Sequence, residues 1–90
     1  MRKSFEFYSD PGHGWLKVDK RDILALSIQE KITTFSHKNG RSVYLEEDQD
    51  AGKFLKAYEA TYGFKPTVNY HTANRTSRIR KYPAYTVVKD

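Results

Sequence analysis

The 90-residue chain has no cysteine, three prolines and five glycines. Without cysteine there is no disulfide framework and no thiolate metal site, and redox chemistry gives no guide to compartment. No apolar run exceeds a few residues, so nothing reads as a membrane span, and the opening MRKSFEFYSD has charge without the apolar stretch of a secretory leader. A cytoplasmic protein is the expectation. Acid is missing from the last third: between Glu59 and Asp90 there is no carboxylate side chain, while Lys65, Arg75, Arg78, Arg80, Lys81 and Lys89 all fall there. The acids gather instead at Glu46, Glu47, Asp48 and Asp50.

The chain is rich in aromatics and charge. With 14% aromatic and 38% hydrophobic residues it is too apolar for a disordered segment and reads as one folded domain, residues 1–90. A domain of this size buries only about 60–65% of its unfolded surface, so the core is thin. A net charge of +5 favours polyanions or acidic protein surfaces as partners.

The stretch FYSDPGHGWLKV poses the first structural question. Phe5 and Phe7 alternate with Glu6 and Tyr8, as do Leu16 and Val18 with Trp15 and Lys17, the period of half-buried strands. Asp10, Pro11, Gly12 and Gly14 are turn formers, so the segment reads as a β-hairpin with a long loop. It lacks the spacing of a phosphate-binding P-loop. If Phe5, Phe7, Leu16 and Val18 fill the core, Tyr8 and Trp15 share the outer face with His13 at the loop tip. They are then binding anchors, or they lie under a C-terminal strand or tail.

A short helix follows, with Asp19 and Asp22 at capping-box spacing. Asn39-Gly40 predicts a type I′ hairpin that pairs Phe35 with Tyr44 and turns Val43 and Leu45 to the other face. Ala51, Phe54, Leu55, Tyr58 and Tyr62 share one face of a second helix, capped by Asp48 and ended by Gly63. TVNYHT and SRIRKY read as two further strands, with a tail that adds an edge. The expected fold is α+β: an antiparallel sheet of five or six strands built from hairpins, with two helices packed on one face.

The three histidines, His13, His37 and His71, lack helical metal-pair spacing, and helix initiation accounts for the run LEEDQD, so no metal and no cofactor is expected. No nucleophile is set beside a base, which argues against an enzyme. The strongest functional signal is basic: as a strand, SRIRKY puts Arg78 and Arg80 on one face, with Arg75 and Lys81 extending the charge and Tyr70, Tyr82 and Tyr85 nearby. That pattern suits phosphates and bases. Edge strands also carry Lys and Arg simply to discourage aggregation.

With FYSDPGHGWLKV joined to VYLEEDQDAGKFLKAY, the chain resembles a family of small bacteriophage and prophage accessory proteins over roughly residues 5 to 60. The resemblance implies a bacterial host cytoplasm and a binding role rather than a metabolic one. The expected function is a non-enzymatic protein that binds and modulates, as an inhibitor, a host complex such as a defence or nucleic-acid-handling machine. Tyr8, His13 and Trp15 would form one partner surface; Arg75, Arg78, Arg80, Lys81 and Tyr82 would form an anionic-partner surface. The alternative is direct binding of DNA or RNA by that second surface.

Overall fold

The computed structural model describes residues 4–89. Alternation makes β1 (Ser4–Ser9) and β2 (Gly14–Asp19), antiparallel with Phe7 opposite Leu16 and Tyr8 opposite Trp15. The capping box forms as expected: Asp19 accepts from the Arg21 N–H at 2.8 Å and Asp22 from the Asp19 N–H at 2.8 Å, starting α1 (Lys20–Ala25).

The second hairpin forms one residue later than Asn39-Gly40 predicts. β3 (His37–Asn39) and β4 (Ser42–Glu46) pair Asn39 with Ser42, leaving Gly40 and Arg41 as the loop. Only Gly40 takes a positive φ, +62°, the pattern of a type II′ turn, in which glycine at the first central position suffices. Tyr44 therefore faces His37, not Phe35, which is 63% exposed. Both faces of β4 are buried, Val43 and Leu45 on one and Tyr44 on the other.

Glu46, not Asp48, caps the next helix, accepting from the N–H groups of Asp48 (2.9 Å) and Gln49 (3.0 Å). One π turn (Glu47–Ala51) leads into α2 (Gly52–Tyr62), the one main helix, which ends at Gly63 with φ +82°. Fully buried Asp50 accepts from Thr33 and Ser36 and so ties the 26–36 loop to this helix start. Of the acidic run, Glu46 is thus occupied in capping and Asp50 in clamping, while Glu47 and Asp48 are exposed.

The sheet is mixed, correcting the all-antiparallel expectation. β5 (Thr67–Thr72) lies parallel to β1, and the strand order is β3-β4-β2-β1-β5. The intervening helix explains this: a crossover returns the chain to the same end of the sheet, so β5 runs in the direction of β4 and β1. A second correction concerns SRIRKY. Arg78–Lys81 is a 3-10 turn, not a strand: the entering donors go to side chains, the Ser77 N–H to Asp10 at 2.8 Å and the Ile79 N–H to the Ser77 hydroxyl at 3.1 Å, and the Arg80 and Tyr82 N–H groups then donate to the Ser77 and Ile79 carbonyls at 3.3 and 3.0 Å. The tail then runs along β3, where the Lys38 N–H donates to the Pro83 carbonyl and the Tyr85 N–H to the Ser36 carbonyl, each at 2.9 Å.

Two apolar clusters result. On the helix side Phe5, Leu16, Val18, Val43 and Leu45 of the strands meet Ile23, Phe54 and Tyr58 of the helices. On the opposite side Ile79 packs on Trp15 and Tyr44, flanked by Tyr8 and Tyr82. Among the described residues no helix is long and apolar enough to cross a membrane.

Candidate anionic-partner surface

The surface begins at the first hairpin. Asp10 turns its carboxylate inward: Oδ1 accepts from the N–H groups of Gly12 (3.0 Å) and His13 (2.9 Å), closing the loop. Both oxygens also take the Arg80 guanidinium, Nε to Oδ2 at 2.7 Å and Nη2 to Oδ1 at 2.8 Å, the bidentate geometry that favours arginine over lysine. The Arg80 pair, then the Ser77 N–H, hold the Asp10 carboxyl far below its ordinary 3.8, and Asp10 in turn raises Arg80. Gly12 leaves room for this approach, since a Cβ there would sit 2.7 Å from Arg80 Nη2; Gly14 instead makes room for the Phe7 ring, which would lie only 2.5 Å from a Cβ.

The SDPGHG loop is therefore a hairpin turn that also receives the C-terminal segment. Docking that segment places Ile79 on Trp15, with the Arg80 guanidinium 5.9 Å from the indole centroid. Trp15 is 2% exposed, so of the two readings left open for this face the one with a C-terminal segment over it holds for Trp15, which is no open anchor, while Tyr8 is half-buried at the wall of a groove. The reading of Arg78 and Arg80 as one strand face also fails. In the 3-10 turn Arg80 is spent on Asp10, while Arg75, Arg78 and Lys81 are exposed with no carboxylate partner among the described residues.

Arg75 and Arg78 border a groove of about 470 Å³ lined also by Tyr8, His71, Asn74 and Thr76. The His71 ring stacks on Tyr8, centroids 4.9 Å apart and planes 19° from parallel. His71 Nε2 lies 2.6 Å from Glu6 Oε1, and Asn69 Nδ2 donates to Glu6 Oε2 at 3.1 Å. The carboxylate thus fixes the ring's orientation. Tyr82 is half-buried against Tyr44, centroids 5.3 Å apart, and burial, followed by the neighbouring Tyr82 and Tyr8, pushes the Tyr44 phenol up.

Of the predicted aromatic companions, Tyr82 stays near the arginines. Tyr70 faces the helix side beside Phe7, and Tyr85 is buried there with its hydroxyl donating to the Gln29 carbonyl. His13 remains exposed, 3.7 Å from Glu46, at a separate groove shared with Phe35 and His37. Among the described residues no three histidine or carboxylate groups are placed to hold a metal ion.

Sequence reasoning missed Asp10 as an anchor and His71 as part of the groove. The Asx-turn role of Asp10 was visible, but its partner stands 70 positions away. For His71 the signal existed, since period two in TVNYHT puts Asn69 and His71 on one face, beside Glu6 and Tyr8 of the parallel neighbour. Comparison with protein-family models, curated proteins and solved structures finds no match for this chain.

Proposed function

We propose that this is a non-enzymatic binding protein, of the phage accessory kind, that captures an acidic surface of a host complex through residues 74–81. The observation that carries the reading is the contrast within one segment: Arg80 is neutralised by Asp10, whereas Arg75, Arg78 and Lys81 stand exposed with no carboxylate partner among the described residues, the two arginines beside a groove. Such charges steer encounter and set register more than they supply raw affinity. The double variant Arg75→Glu/Arg78→Glu tests it. It is expected to remain folded by circular dichroism and to lose the partner that the wild type retains from a bacterial lysate. Retention by the folded variant would defeat the proposal. Arg80→Glu is unsuitable for this purpose, because it sets a carboxylate against Asp10.

A second reading, direct binding of DNA or RNA, is favoured by the His71–Tyr8 stack next to two arginines, a site for a base beside its phosphates. It predicts binding to labelled single strands that falls by about 0.7 decades per decade of salt for each phosphate neutralised. Salt-insensitive association would count against it.

A further inference from the structure

The two edges of the sheet are treated differently. At β3 the tail lies alongside, bridging Ala84 to His37, and uses the outward groups of the edge. At β5 no described element pairs with the outer side. β5 is six residues long, contains no proline, and carries none of the lysines or arginines that natural edges use to repel a second strand.

Backbone direction follows from one bond. The Ala73 N–H donates inward to the Ser9 carbonyl at 2.9 Å, so alternation along the strand turns the N–H and C=O groups of Val68, Tyr70 and Thr72 outward, away from β1. At the middle of this edge Tyr70 is 73% exposed, its ring 5.4 Å from that of Phe7.

We infer that β5 is a homodimer interface, joining two copies by antiparallel β5–β5 pairing about a two-fold axis at Tyr70. In this register Tyr70 faces Tyr70 of the second copy and Val68 faces its Thr72, all hydrogen-bonded pairs with Cα atoms about 5.5 Å apart. Outward groups on each strand then meet outward groups on the other. The two tyrosines become cross-strand neighbours, extending a row of rings from Phe7 to Phe7 across the axis.

The occupant is a second copy because the strand is self-complementary in charge. From Pro66 through Asn74 there is no Lys, Arg, Asp or Glu, so two chains of net charge +5 meet there without opposing fixed charges. An isologous contact of this kind closes at two copies. The inference uses none of the exposed basic residues, although β5 also lends His71 and Thr72 to the wall of the basic groove.

The test is light-scattering mass across protein concentration, with hydrogen exchange at both ends of the range. The expected result is a rise toward twice the 10.5 kDa chain mass, with the Val68, Tyr70 and Thr72 amides slowing as the dimer fills. Tyr70→Lys, which opposes two cations across the axis, and Thr72→Pro, which removes an outward donor and leaves the β1 ladder intact, are each expected to return the monomer with wild-type circular dichroism. A wild type that stays monomeric overturns the inference. So does a dimer that both variants keep, or a mass that grows past two copies.

Discussion

The two faces of the sheet are covered by different means. On the helix side, burial comes from regular elements, with Phe5 edge-on to Phe54 and Tyr58 at centroid distances of 5.1 and 5.8 Å. On the other side a short irregular strap supplies one fully apolar plug, Ile79, and is pinned by the Asp10–Arg80 pair. Hydrophobic burial is non-directional and spread over many groups. A bidentate ion pair is directional and fails at a single atom. Damage to the first face should be global, and damage to the second should be local.

The largest expected effect is Phe54→Ala on the helix face. Removing a fully buried aromatic costs about 3–5 kcal/mol, against a total of roughly 5–13 kcal/mol for a 90-residue domain at typical stability per residue. In urea, the loss of circular dichroism and the change in Trp15 fluorescence are expected to shift together to lower denaturant. Separate transitions would mean the two faces do not share one cooperative unit.

Next in size is Arg80→Glu on the strap. Trp15 is the sole tryptophan and lies beneath this segment, so release of the strap is expected to move its emission to longer wavelength while far-ultraviolet circular dichroism largely persists. Arg78→Glu, two residues away and without a carboxylate partner among the described residues, should change stability by no more than about 0.5 kcal/mol. If both substitutions leave the emission unmoved, the Asp10–Arg80 pair is not what holds the strap.

A smaller effect is expected from acid. The Asp10 carboxyl is held below its ordinary 3.8 chiefly by Arg80, so its contribution is fully present above that value and is lost as pH falls through the lowered one. Trp15 emission should therefore be constant from neutrality down to about pH 4 and shift only below it. In Asp10→Asn the shift should already be present at neutral pH. A strap transition between pH 5 and 7 would assign control to another group.

The same division governs how much of this was legible in the sequence. Phe5, Phe7, Leu16 and Val18, the Asp19–Asp22 cap and the α2 face through Phe54 and Tyr58 all follow from local periodicity, and they form as read. The strap does not. Its 3-10 turn competes with a strand of identical composition, and the outcome depends on Asp10 capturing the Ser77 N–H across the chain, which no local window contains. The parallel placement of β5 was hidden for a similar reason: hairpin signals describe neighbours in sequence, whereas β5 pairs with the first strand. Of the candidate site, the basic residues were legible as charge, but which of them is free depends on one long-range carboxylate.

The smallest effect lies back on the helix side, at the end of α1. The Ile28 N–H donates to the Ile23 carbonyl at 3.4 Å and the Ser27 N–H to the Leu24 carbonyl at 3.0 Å, with Ile23 and Ile28 both in the core: the pairing of a Schellman motif. That motif favours glycine at the left-handed position, yet Ser27 stands there with φ +56°. A left-handed L-residue costs about 1–2 kcal/mol, and glycine returns roughly 0.5–1 kcal/mol of that as unfolded-state entropy. Ser27→Gly is therefore expected to stabilise the domain by about 0.5 kcal/mol, read as a higher urea midpoint with unchanged slope. Because the change leaves the strap alone, the acid transition of Trp15 should not move with it. A parallel shift in that transition would show that local release of the strap depends on the helix-side core, and that the strap draws its stability from that core rather than from Asp10 and Arg80.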